Sequence, residues 1–414
     1  MAEPIRQLIR LLIRVGPERP EIIDVDAVSG IAPQPDPPPQ PGSRAFWIGI
    51  TEPGAEPVFQ RLAALRRHEE TFEKGSWSNA TSTRDNLVEI ELPWSGDPEA
   101  TLLVVIGTGE GQPESTAVSI ASLGLLDPLR IPYLSQFTLL AEREIQYPRT
   151  DLNLTDNGKA VMLAFLPDGF VEAEFAAFHR IVADFIDQLR RTAPFDRYRD
   201  AIDAVMIDVP SAKSGIHDPL KLDADVDPWF GSGMGTGNMR RLIVAEHADR
   251  AISVARAAIG KARRIQCLIV ANTSDYGGSG GTVAVFSGHS DSGQIAIHEL
   301  GHSMFKLADE YSDDGNPFDA NPAEPNVSAE PVPGGGWTAE DRGRLKWNRL
   351  LTPDIQLPTP PSAGPAVIGA FEGAKSRPEG LFRPTLDCKM RALTKPFCPV
   401  CSAAIAAALD PYLP

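Results

Sequence analysis

Residues Ser292–Tyr311 read SGQIAIHELGHSMFKLADEY. Inside this stretch His298, Glu299 and His302 form an H-E-x-x-H. On an α-helix, positions i and i+4 lie roughly 40° apart around the axis and about 6 Å apart along it, so both imidazoles reach one ion from the same face. Ile295, Ile297, Leu300 and Met304 fall mostly on other faces, and Ser292 is a candidate cap. Glu299 stands beside the pair, where a carboxylate can take the proton of a metal-bound water and later pass it to a leaving amine. Zinc suits such a site because it lowers the pKa of a bound water from near 15.7 to about 7. Histidine is scarce in the chain, yet two of its seven fall on this motif.

A catalytic zinc usually has three protein ligands and a water. The spacing H-E-x-x-H-x-x-G-x-x-H would put Gly at 305 and His at 308, but the chain has Phe305 and Ala308. Asp309 follows one residue later, then Glu310. In an unbroken helix Asp309 would lie about 10 Å beyond His302. It serves only if the helix stops and the chain turns back. Glu310 and His289, in Ser287-Gly288-His289-Ser290, are the fallback ligands.

Outward from the motif, the chain alternates. Ala160–Leu166 (AVMLAFL), Ala204–Val209 (AVMIDV) and Gln266–Ala271 (QCLIVA) are apolar runs that read as buried strands. Glu172–Arg191 carries Phe175, Phe178, Ile181, Val182, Phe185 and Leu189 near helical spacing, and Arg241–Gly260 reads as mostly helix. This predicts an α/β (α+β) layer with a mixed sheet, over residues 151–414. Residues 1–150 differ. Ile22–Val28, Ala45–Ile50, Leu87–Leu92 and Thr101–Ile106 are short aliphatic runs separated by turn residues, which predicts a β-rich, sandwich-like accessory domain. Ala32–Gly42 (APQPDPPPQPG) reads as a stiff exposed loop. Gly315–Ile368 is Pro/Gly-rich and weakly patterned, and Cys398–Leu409 reads as a short terminal helix.

Thr282–Phe286 (TVAVF) lies just before the helix, after the Gly-rich turn Ser274–Gly281. It is expected to be an exposed edge strand, onto which an extended peptide adds as one more strand. The Gly-rich turn itself lacks the spacing of a nucleotide-binding loop.

Composition excludes some classes. With 39 Lys+Arg against 55 Asp+Glu the net charge is -16, contrary to the clustered cations that nucleic-acid binding needs. No run of 18 or more residues is apolar enough to span a membrane. Arg6, Arg10 and Arg14 interrupt the N-terminal apolar positions, so no signal peptide is visible. Four cysteines are too few for a disulfide scaffold. Cys388, Cys398 and Cys401 crowd the tail, and no nearby His completes a four-ligand zinc set with them. They read as a Cys388 disulfide to one of the other two in an oxidising setting, or as free buried thiols in the cytosol.

The stretch HELGHSMFKLADEY resembles the bacterial immunoglobulin-A-peptidase family of zinc metallopeptidases, which are metzincin-like. The resemblance extends over about residues 155–410, through Pro194-Phe195, Tyr198-Arg199-Asp200, Asp208-Val209-Pro210-Ser211, Tyr276-Gly277-Gly278-Ser279-Gly280-Gly281, Cys388-Lys389-Met390-Arg391 and Phe397-Cys398-Pro399-Val400-Cys401. It implies a zinc metalloendopeptidase, a hydrolase acting on a peptide or protein substrate, from a family whose members are often secreted. It implies zinc ligands His298, His302 and Asp309, Glu299 as general base, and Met390 as the Met-turn residue packed beneath the metal. Tyr311 and Arg391 are candidate oxyanion donors by analogy with other hydrolases. The alternatives are a zinc amidase acting on a small or cell-wall substrate, and a non-catalytic protein-binding relative. An intact Glu299 argues against the latter.

Overall fold

A computed structural model describes residues 6–15, 20–30, 36, 46–62, 68–73, 76–81, 86–95, 97, 99–106, 114–119, 147–220, 226, 228–235, 241–260, 264–312, 318–332, 334–335, 337–338 and 340–414. The chain divides into two compact units. One holds Met1–Arg67, Ser82–Gln146 and Ile252–Arg264; the other holds His68–Thr81, Tyr147–Ala251 and Ile265–Pro414.

In the first unit, Pro20–Gly30, Arg6–Val15 and Asn86–Pro93 form a three-stranded antiparallel sheet with Arg6–Val15 in the middle. The reading of residues 6–15 as an interrupted apolar segment missed this strand. Arg10 explains why the charge is tolerated there. It stands opposite Glu91 in the register, and its Nε and Nη2 both donate to Glu91 Oε1, at 3.0 and 2.9 Å. A buried charge needs such a partner. Val58–Leu62, Phe46–Thr51, Thr101–Ile106 and Glu114–Ser119 form a four-stranded antiparallel sheet. Alternate residues of the two sheets, Ile9, Leu11 and Ile13 with Ile48, Ile50 and Leu102, share one core cluster. Apart from Asp36, which bridges Phe59, the Pro-dense stretch 32–42 lies outside the described residues.

The second unit is built on a six-stranded mixed sheet. Its strands are β1 (Arg149–Asp151), β2 (Val161–Asp168), β3 (Ile202–Ile207), β4 (Ile265–Ala271), β5 (Gly278–Ser279) and β6 (Ala284–Ser287). The order is β1-β3-β2-β4-β6-β5. The four inner strands are parallel, and β1 and β5 are antiparallel edges. Every residue of β2 and β3 is buried, as expected of parallel strands covered on both faces. The described α-helices are α1 (Phe175–Leu189), α2 (Ala248–Ile259), α3 (Ser292–Phe305) and α4 (Pro399–Leu409). Val161, Leu163 and Phe165 of β2 pack with Phe178, Val182 and Phe185 of α1 and with Ile295, Leu300 and Met304 of α3. The Phe165 and Phe185 rings meet edge-on at 5.4 Å.

Mixed α/β architecture is thus observed where the alternation predicts it. Two details differ. Helix α2 begins only at Ala248, because Val244–Ala245 pairs instead with Ser232–Gly233. The second correction concerns the expected edge strand over 282–286. Strand β6 is paired on both sides, parallel to β4 and antiparallel to β5. The edge falls to β5, inside the Gly-rich turn. That turn doubles back beside α3, where a Cβ on Gly278 would stand 2.7 Å from Ile295 Cγ2 and 2.8 Å from the Val285 carbonyl. Only a residue without a side chain fits. Among the described residues no helix is long and apolar enough to cross a membrane.

Candidate metal centre

Helix α3 carries the H-E-x-x-H, and its end decides whether a third group can join. Asp291, not Ser292, holds the cap position, without a side-chain cap bond. At the other end Lys306 adopts a left-handed conformation, φ 55° and ψ 32°. Its N–H donates to the His302 carbonyl at 3.2 Å, and the Leu307 N–H donates to the Gly301 carbonyl at 3.0 Å. This is a Schellman-type stop, normally built on glycine. The chain therefore reverses one residue after the helix, and Asp309 returns toward the histidines. A Lys306→Gly substitution should raise unfolding stability by about 1 kcal/mol, since only the side-chain cost of the left-handed region is removed. Urea unfolding measures this; a loss of stability would show that the lysine side chain matters more than its backbone.

The returning segment is pinned on two sides. The buried Asn326 Oδ1 accepts from the Ala308 N–H at 2.8 Å, and its Nδ2 donates to the Ala308 carbonyl at 2.8 Å and to Glu310 Oε1 at 3.0 Å. The antiparallel pair Phe371–Ala374 and Arg377–Arg383 turns through Lys375 and Ser376, both at positive φ, 52° and 57°. Two such residues between paired strands make the hairpin turn that matches strand twist. The N–H groups of that turn donate to the Asp309 and Tyr311 carbonyls, at 3.0 and 3.2 Å.

The result is a compact triangle. Asp309 Oδ1 lies 3.1 Å from His298 Nε2 and 3.2 Å from His302 Nε2, and the two Nε2 atoms are 3.1 Å apart. His298 Nδ1 bonds the Lys389 carbonyl at 3.0 Å, and His302 Nδ1 bonds the Leu307 carbonyl at 2.7 Å. A carbonyl only accepts, so each Nδ1 carries a proton and each Nε2 turns a lone pair inward. Asp309 Oδ1 is buried and makes no hydrogen bond of acceptable geometry. Three donor atoms thus face a common point rather than one another. Ligands at zinc–nitrogen and zinc–oxygen distances of about 2.0–2.1 Å stand about 3.3 Å apart around a tetrahedral ion. The triangle is within a few tenths of an ångström of that, so these residues fit a zinc ion.

The electrostatics agree with the geometry. Burial disfavours the charged His302 ring, but the Asp309 carboxylate raises its pKa to about 10. Burial alone would raise Asp309; the His302 and His298 rings overcome this and hold it well below the usual carboxylate range. The Glu299 carboxyl is pushed up by burial, against the opposing pull of His298 and His302. Arg241 also acts on Glu299, a residue that nothing in the motif pointed to.

Beneath the helix lies Met390, fully buried. A Cβ on Gly301, between the two histidines, would stand 2.7 Å from Met390 Sδ. Above it, a Cβ on Gly280 would stand 2.6 Å from His302 Cβ and 3.0 Å from Glu299 Oε2. The helix is clasped between a methionine and bare backbone.

The other candidates are placed elsewhere. His289 accepts from the Asp291 N–H through Nδ1 at 3.0 Å and meets the Tyr276 ring edge-on at 5.4 Å. Tyr311 is half-buried, with its carbonyl taken by Ser376. Arg391 is exposed, and its Nη1 donates to the Leu386 carbonyl at 3.1 Å. Glu310 turns away from the triangle and into the three tail cysteines. All four cysteines are unbonded and buried.

A mixed α/β unit that gathers two histidines, a carboxylate and a free glutamate at one helix is a plausible frame for peptide-bond hydrolysis. Residues 152–366 and 361–409 match the family described as IgA Peptidase M64, and the chain belongs to that family of peptidases. A search among curated proteins gives no match.

Proposed function

We propose that the protein is a zinc-dependent metalloendopeptidase with a metzincin-like catalytic unit. The observation that carries this reading is the convergence of His298 Nε2, His302 Nε2 and Asp309 Oδ1, at 3.1–3.2 Å, with both Nδ1 protons committed to carbonyls. Met390 packed under Gly301 supports the metzincin-like assignment. We further read the first unit as a sandwich-like accessory domain, since two sheets meet in one apolar cluster.

His298, His302 and Asp309 would hold the zinc, which when bound supplies an acidified water and polarises the scissile carbonyl. Glu299 takes a proton on its carboxylate and returns it to the leaving amine. A raised pKa suits both halves of that task, since the group must accept and then release the same proton. The Lys389 and Leu307 carbonyls keep the rings oriented throughout. Met390 and Gly280 leave the helix no room to shift.

A zinc amidase is the second reading. It is favoured by the filled edge: β6 is paired on both sides, and Gly278 of β5 already exchanges hydrogen bonds with Arg241 and Ile243, at 3.1 and 3.4 Å. The experiment is digestion of a peptide library, read by mass spectrometry, with and without 1,10-phenanthroline. Internal cleavage that the chelator abolishes and zinc restores is expected. Full activity in metal-free protein sinks the zinc mechanism, and metal-dependent hydrolysis of small amides alone favours the amidase.

A further inference from the structure

A second cluster lies behind the first. Glu310 and the thiols of Cys388, Cys398 and Cys401 are all buried, with one potential ligand atom from each lying within 4.8 Å of the others. Cys388 Sγ is 3.7 Å from Cys401 Sγ. Glu310 Oε1 is 3.2 Å from Cys401 Sγ and 3.9 Å from Cys398 Sγ. A tetrahedral zinc with thiolates at about 2.3 Å and a carboxylate oxygen at about 2.0–2.2 Å sets sulfur–sulfur edges of about 3.8 Å and sulfur–oxygen edges of about 3.5 Å. The cluster has these edges.

Two further features point to an ion. The Cys401 N–H donates to Cys398 Sγ at 3.4 Å, and the Cys398 N–H donates to Cys388 Sγ at 3.3 Å. Backbone donors aimed at sulfur stabilise thiolates, and Cys398 also caps the N-terminus of α4, where the helix dipole favours negative charge. Glu310 Oε2, on a side chain with no exposed surface, has no hydrogen-bond partner. An orphan carboxylate oxygen is costly unless something else satisfies it.

We propose that Glu310, Cys388, Cys398 and Cys401 form a second, structural zinc site with three thiolate ligands and one carboxylate. It does not depend on the peptidase reading. Its position gives it a job. Glu310 adjoins Asp309, and its N–H donates to the Met390 carbonyl at 2.8 Å. Cys388 adjoins Lys389, whose carbonyl holds His298. One ion thus ties the return segment, the turn containing Met390 and helix α4 to one another, directly behind the triad. It is a closed set, with four protein ligands, as structural zinc sites have.

The test uses the full chain, produced with added zinc and purified under reducing conditions. Two zinc ions per chain are expected in the wild type and one in a His298→Ala/His302→Ala variant. Loaded with cobalt(II), that variant should keep intense thiolate-to-metal charge-transfer absorption, and Cys398→Ser should lose it. Titrating the wild-type thiols with a mercurial should free one zinc, which requires no variant to fold. Cobalt-loaded wild type without thiolate charge transfer overturns the site. So does a Cys388–Cys401 disulfide in protein kept reduced throughout. Loss of activity dependence on zinc with the charge-transfer band intact would remove the peptidase mechanism and leave this site standing.

Discussion

Glu299→Gln is expected to lower kcat by about 10²–10⁴-fold, the usual contribution of a positioned general base, while the triad keeps its zinc. The amide preserves the shape of the side chain, which matters here because Glu299 Oε2 sits where a Cβ on Gly280 would be only 3.0 Å away. It cannot accept a proton. The His298 and His302 rings are oriented by Lys389 and Leu307, not by Glu299, so the substitution leaves the ligands in place. Zinc content and kcat measured on the same preparation separate the two effects. Turnover near the wild-type rate would take Glu299 out of the mechanism.

Asp309→Ala is expected to weaken the zinc withdrawn by 1,10-phenanthroline by more than about 100-fold, since even partners that only orient a ligand are worth about 10–100-fold. The two histidine Nε2 atoms would remain 3.1 Å apart with no anion to offset the ion's charge. Glu310→Ala should affect that zinc far less, because Glu310 faces the cysteines. Competition against a chelator of known affinity ranks the two variants. The opposite ranking would refute Asp309 as the ligand.

Much of the fold was legible because it rests on periodicity. The runs at 160–166, 204–209 and 266–271 became β2, β3 and β4, shifted by a residue or two. The misses share a cause. Strand Arg6–Val15 was hidden by arginines whose partner, Glu91, lies 81 residues away. The true sheet edge was hidden because glycines carry no pattern to read. In the site, His298, Glu299 and His302 followed from spacing alone. Asp309 followed from resemblance, since the left-handed Lys306 that brings it back has no signature in the sequence. Asn326 and the pairing of Glu310 with the cysteines were not legible, as each joins segments that only the folded chain brings together.

Gly278 and Gly280 carry a further consequence. The wall of backbone they make next to Glu299 and His302 offers a substrate no side chain to read. Whatever vocabulary of sequences this protein distinguishes must be written on other segments, and those are free to diverge while the wall stays mute. Redesign of selectivity therefore has a natural partition: the glycines belong to the engine, and the choice of what is cut can be edited without touching them.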